Sequence, residues 1–103
     1  MHLGSILING NAQVGENVAF HINSALIANG KDSGGPQIGD GSVIGYGAVV
    51  MGNIVIGENV AVGANSVVTK SFEQPNIAIA GVPARKISDN GRLEWNKSSA
   101  SSI

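Results

Sequence analysis

The 103 residues are expected to form an all-β parallel β-helix, a solenoid of triangular section, and three regularities lead to that expectation. An aliphatic or aromatic side chain recurs every six residues at Ile8, Val14, Phe20, Leu26, Ile38, Ile44, Val50, Ile56, Val62 and Val68. Three positions after the beat stands Asn or Gly, at Asn11, Asn17, Asn23, Asn29, Gly41, Gly47, Asn53, Asn59 and Asn65, with Ser71 the one departure. These are the residue types that enter the left-handed αL region at least cost. Four positions after the beat the residue tends to be small, as at Ala12, Ser24, Gly30, Ser42, Ala48 and Ser66, which suits a crowded corner inside a coil. A helix would repeat its apolar positions at three or four residues and a half-buried strand at two, so a period of six points to short strand, turn, short strand, turn.

Three such units make a coil of eighteen residues, and ten units make a little over three coils stacked at about 4.8 Å. Residues 1–7 read as part of a coil whose beginning is missing. Four units run from Ile8 to Asn29. Residues 30–37 (GKDSGGPQ) then break the pattern with glycines, a proline and charges, while the twelve residues from Leu26 to Ile38 preserve its phase. This stretch is expected to bulge as a loop from one corner, a place where function concentrates. Units resume from Ile38 to Ser71, Pro75 ends them, and residues 77–80 supply a last strand. The domain is taken as 1–87, with 88–103 a short helical or frayed tail.

Composition narrows the class. Residues 1–69 carry Lys31 against Glu16, Asp32, Asp40 and Glu58, whereas residues 70–103 carry Lys70, Arg85, Lys86, Arg92 and Lys97 against Glu73, Asp89 and Glu94. The basic groups thus gather at the C-terminal end. That is too weak and too local for a nucleic-acid partner, but it suits a small polyanionic cofactor. No apolar run reaches the ~18 residues of a membrane span. The absence of cysteine removes disulfides and thiolate metal sites and fits a reducing compartment, so a cytoplasmic protein is expected.

The run from Ile38 to Lys70 (IGDGSVIGYGAVVMGNIVIGENVAVGANSVVTK) followed by Ala80 to Ile87 (AGVPARKI) resembles the hexapeptide-repeat acyltransferases. It is most similar to their serine O-acetyltransferase and polysaccharide O-acetyltransferase branch, and the likeness covers about residues 1–87. The resemblance implies a left-handed coil, an exception to the usual right-handed crossover. It also implies a homotrimer with active sites between neighbouring prisms, and transfer of acetyl from acetyl-CoA to a hydroxyl.

His2 opens the segment His2-Leu3-Gly4-Ser5-Ile6-Leu7-Ile8, which matches the pattern that supplies the general base in the serine acetyltransferase branch. It also stands on the beat, six residues before Ile8, where every complete unit has an apolar residue. An imidazole there suits a base that takes the hydroxyl proton as oxygen attacks the thioester, with backbone N–H groups stabilising the oxyanion. The alternative is a terminal residue with no role. His21 falls one position after the beat and should face outward. One coil separates residues 2 and 20, which sets the two histidines on neighbouring rungs, roughly 5 to 8 Å apart. His21 is accordingly a groove-lining residue or a second candidate base, against the alternative of an exposed histidine.

For coenzyme A the resemblance marks Ala48 and Ala64 as small corner residues that admit pantetheine, and Lys70 and Arg85 as cations for its phosphates. The alternative for the two cations is solvated surface charge. No metal is expected: two histidines and no cysteine do not furnish a three-histidine zinc site. Two positions depart from the serine acetyltransferases. Met1 stands where their acidic residue precedes the base, and Gly35, before Pro36, stands where a second histidine is expected. Their N-terminal helical domain is missing as well. The expected acceptor is therefore a sugar or polysaccharide hydroxyl, with free serine second. A truncated, inactive structural trimer is the alternative from another class.

Overall fold

The structure, a computed structural model, describes residues 7–8, 10–28 and 34–91. Every apolar beat residue lies in a strand of two or three residues: β1 (Leu7–Ile8), β2 (Gln13–Val14), β3 (Ala19–Phe20), β4 (Ala25–Ile27), β5 (Gln37–Ile38), β6 (Val43–Ile44), β7 (Val49–Met51), β8 (Val55–Ile56), β9 (Ala61–Val62) and β10 (Val67–Val68). Two longer strands follow, β11 (Ala78–Gly81) and β12 (Ala84–Ser88). The strands assemble into three walls. The first is β1-β4-β7-β10, the second β2-β5-β8, and the third β12-β11-β9-β6-β3. All pairings are parallel except β11 with β12. The chain is thus an all-β, left-handed parallel β-helix.

Register reports the coil length directly. Val43 pairs with Ala61 and Val49 with Val67, eighteen residues apart, as three hexapeptides per coil require. Across the expected loop the offset grows to twenty-four, with Gln13 opposite Gln37 and Ala19 opposite Val43. The insertion is therefore one hexapeptide long and leaves each strand on its own wall. Of this loop, residues 30–33 lie outside the described residues.

Side chains at the beat and two positions before it point inward. Leu26, Ile38, Ile44, Val50, Ile56, Val62 and Val68 are buried, interleaved with Ala48, Ile54 and Val60. Buried serines occupy the same inward column and bond across turns or coils. Ser42 Oγ donates to Gly57 O at 2.9 Å and accepts from Val60 N at 3.0 Å, and Ser66 Oγ accepts from Gly81 N at 3.0 Å. Among the described residues no buried side-chain polar atom lacks a partner, as a dry core demands. The first coil differs: Ile8 is 44% and Val14 39% exposed although both are on the beat, because no described coil lies above them.

Corner residues adopt positive φ as their type predicts: Asn17 at 59°, Asn23 at 64°, Gly41 at 75°, Gly47 at 70°, Asn59 at 54° and Asn65 at 59°. The turn after β7 departs, since there the positive φ falls on Gly52 at 103° rather than on Asn53. That strand is one residue longer, and the turn tightens to recover the phase. Asn59→Ala is expected to lower stability by about 1 kcal/mol, because alanine lacks the local hydrogen bonding that offsets the αL conformation. Asn59→Gly should cost less, and equal urea midpoints for wild type and Asn59→Ala would contradict the αL argument.

One expectation changes. The last strand is half of a hairpin, in which Ala80 opposes Arg85 and Gly81 opposes Ala84 around a cis Val82–Pro83 bond. Parallel stacking stops at β11. β12 turns back antiparallel and leaves Arg85 and Lys86 on the sheet edge, where charge discourages further strand pairing.

Candidate active site

The third wall brings the sequence-named residues closest to one another. His21 follows β3 directly, and its N–H donates to Ile44 O at 3.0 Å. Its carbonyl accepts from Ser24 N at 3.3 Å and Ser24 Oγ at 2.7 Å, which fixes the turn. The ring is half-buried. Below it on successive rungs stand Gly45, Gly63 and Ala80, linked by Gly45 N–H to Val62 O at 2.9 Å and Gly63 N–H to Ile79 O at 2.8 Å. Two successive glycines let neighbouring coils approach closely along this line. A Cβ on Gly45 would collide with Val62 O and Gly63 C, so the coils touch backbone to backbone there.

Arg85 closes the line at its far end. It pairs with Ala80 across the hairpin and is exposed, so its guanidinium is available to a ligand. From β3 to β12 the wall has four strand spacings, which makes the line from His21 to Arg85 roughly 19 Å long. Its border is the corner column Ile22, Tyr46 and Ala64, where both Tyr46 and Ala64 are exposed.

The other candidates divide. Ala64 lies at this border, in the place a small corner residue should have. Ala48 does not: it is 0% exposed inside the core, so its side chain offers nothing to a cofactor, and its small size answers to interior crowding. Lys70 follows β10 at the corner between the first and second walls, with its Nζ 5.5 Å from the centroid of the Phe72 ring. It shares the C-terminal end of the prism with Arg85 but not its wall. His2 lies outside the described residues.

Elsewhere, Gln13, Gly15, Gln37, Gly39 and Val55 of the second wall line an open trough of about 310 Å³, which none of the named histidines or cations borders. Glu16, Asp40 and Glu58 stack along the neighbouring corner, where Asp40 Oδ1 accepts from Glu16 N at 2.8 Å. Among the described residues no three His, Asp or Glu side chains group so as to hold a metal ion. No described helix is long and apolar enough to cross a membrane.

The glycine line was not singled out by sequence reasoning. Its signal was present as Gly45 and Gly63, each one position after the beat and eighteen residues apart.

Residues 35–70 match the family described as bacterial transferase hexapeptide (six repeats). No curated protein matches the chain. Among solved structures, serine acetyltransferase from Brucella abortus strain S19 in complex with coenzyme A is 41% identical, with 82% of this chain and 34% of that one covered and a TM-score of 0.77. Serine acetyltransferase from Neisseria gonorrhoeae is 38% identical over 81% of this chain and 33% of its own, with a TM-score of 0.76. Soybean serine acetyltransferase apoenzyme is 34% identical over 75% and 40%, with a TM-score of 0.64. The chain spans about a third of the length of the bacterial enzymes among these. Beat, coil and likenesses together identify a hexapeptide-repeat chain that is similar to the bacterial transferase hexapeptide family and to the serine acetyltransferases.

Proposed function

We propose that the chain is an acetyl-CoA-dependent O-acetyltransferase that works in a homotrimer in the cytoplasm. A histidine base removes the proton of an acceptor hydroxyl while its oxygen attacks the thioester carbonyl. The tetrahedral oxyanion collapses, the ester forms, and the thiol of coenzyme A leaves with a proton returned by the imidazolium. The observation that carries this reading is the line from His21 over Gly45, Gly63 and Ala80 to Arg85. Its length suits an extended pantetheine arm, with the thioester at the histidine end and the phosphates at the guanidinium. Exposed Ala64 leaves the border of that line low, and Lys70 supplies a second cation at the same end of the prism.

His2 is the base in this reading and His21 lines the groove beside it. L-serine is the favoured acceptor, because the similar structures are serine acetyltransferases and one of them holds coenzyme A. This reverses the preference for a saccharide hydroxyl, the second reading, which rests on Met1 and Gly35.

Release of free thiol from acetyl-CoA, measured with L-serine and with a panel of sugars, tests both the activity and the acceptor. Serine-dependent release is the expected result. Release that no acceptor stimulates would favour the inactive structural trimer. In the same assay Arg85→Ala is expected to raise KM for acetyl-CoA about tenfold with a smaller change for the acceptor, in keeping with the loss of one charge-assisted phosphate contact. An unaltered KM would remove Arg85 from the cofactor site.

A further inference from the structure

Three aromatic residues stand among the described ones, and only two of them serve the core. Phe20 and Phe72 are half-buried and packed against it, whereas Tyr46 is 49% exposed and lies outside that cluster. A single exposed ring is ordinary on a protein surface, so its position has to decide whether it has a task.

Tyr46 follows Gly45 at the corner where the third wall meets the first, and its backbone is held by the coils on both sides. Gly47 N–H donates to Ile22 O at 3.1 Å in the coil before, and Tyr46 O accepts from Asn65 N–H at 2.7 Å in the coil after. Gly47 supplies the αL turn at a φ of 70°, and a Cβ on it would collide with Asn65 Oδ1, so Tyr46 is carried on a fixed turn. One coil later the corner residue is Ala64, and the register of Ile79 with Val62 sets Gly81 level with it in the last strand. Neither has more than a methyl group. Tyr46 is therefore the largest side chain on this border between its own rung and the far end. From β6 to β3 is one strand spacing, about 4.8 Å, and from β6 to β12 is three, about 14 Å. Tyr46 thus borders the line near its His21 end and far from Arg85.

We infer that the ring of Tyr46 packs against the pantetheine arm of the acyl donor, close to the thioester, and is a cofactor-binding residue. The inference rests on the proposed course of the cofactor between His21 and Arg85. Pantetheine is a chain of methylenes interrupted by two amides, and an aromatic ring with a polar tip offers apolar contact to the first and tolerates the second. A tyrosine has two side-chain torsions to fix, so ordering it against a ligand costs little.

Calorimetric titration of the full chain with free coenzyme A tests this without an acceptor or turnover. Tyr46→Ala should weaken binding about tenfold, as burial of part of one aromatic ring implies, and Tyr46→Phe should stay within about threefold of wild type. Adenosine 3′,5′-bisphosphate, which lacks the pantetheine arm, should bind wild type and Tyr46→Ala within about twofold of each other, whereas Arg85→Ala should weaken both ligands. Unchanged affinity of Tyr46→Ala for coenzyme A overturns the inference and leaves the proposed function standing. So does an equal loss for the bisphosphate, which would mean a general disturbance of the site, or a loss in Tyr46→Phe as large as in Tyr46→Ala. A wild-type chain that binds no coenzyme A overturns the proposed function and this inference with it. Circular dichroism of each variant confirms that the coil is intact.

Discussion

Gly39→Ala is expected to destabilise the prism by about 3 kcal/mol, the upper part of the range for overpacked interiors. A Cβ at this position would lie 2.5 Å from Gly57 C, 2.6 Å from Gly57 O and 2.7 Å from Glu58 N. All three are backbone atoms, so no rotamer change relieves the contact. The Gly39 N–H to Ile56 O bond of 2.8 Å holds the two coils together at that point, and they must separate to admit a methyl group. Strain in one rung also disturbs its neighbours, since each coil is supported only by those above and below. Gly10→Ala is the matched comparison, because no atom lies within 4 Å of its Cβ position, and its cost should be small. Urea denaturation of both variants measures the difference. Equal midpoints would mean that contact between coils at the second wall is looser than these distances imply.

His2→Ala is expected to lower kcat for acetyl transfer by about 10²- to 10⁴-fold, the usual contribution of a positioned general base. KM for acetyl-CoA should change little, since the proposed function puts the phosphates at the Arg85 end of the line. His21→Ala should act chiefly on KM, because the proposed function gives that ring a lining role beside the cofactor and not the proton transfer. If His21→Ala instead produces the large fall in kcat, the two histidines exchange roles. Wild-type turnover in both variants would remove imidazole catalysis from this reading.

Strand positions were legible because a six-residue beat marks one inward phase, and each of β1–β10 contains its beat residue. The corners were legible for a related reason, since an αL turn selects Asn or Gly and these recur three after the beat. Ala48 was misread because a small residue satisfies two opposite demands, space for a ligand outside and space for neighbours inside. Only its burial decides between them. The hairpin of β11 and β12 was missed because AGVPARKI has no hexapeptide beat, and its antiparallel register is visible only once Ala80 and Arg85 are seen to pair.

The amino-acid order alone therefore determined the class of coil, its rise and its inward face, because these depend on spacing repeated locally in every unit. The line along the third wall was decided by tertiary structure. His21, Gly45, Gly63 and Arg85 are separated by twenty-four, eighteen and twenty-two residues, and they share one line only because inserted and uninserted coils and a reversed last strand stack on the same wall.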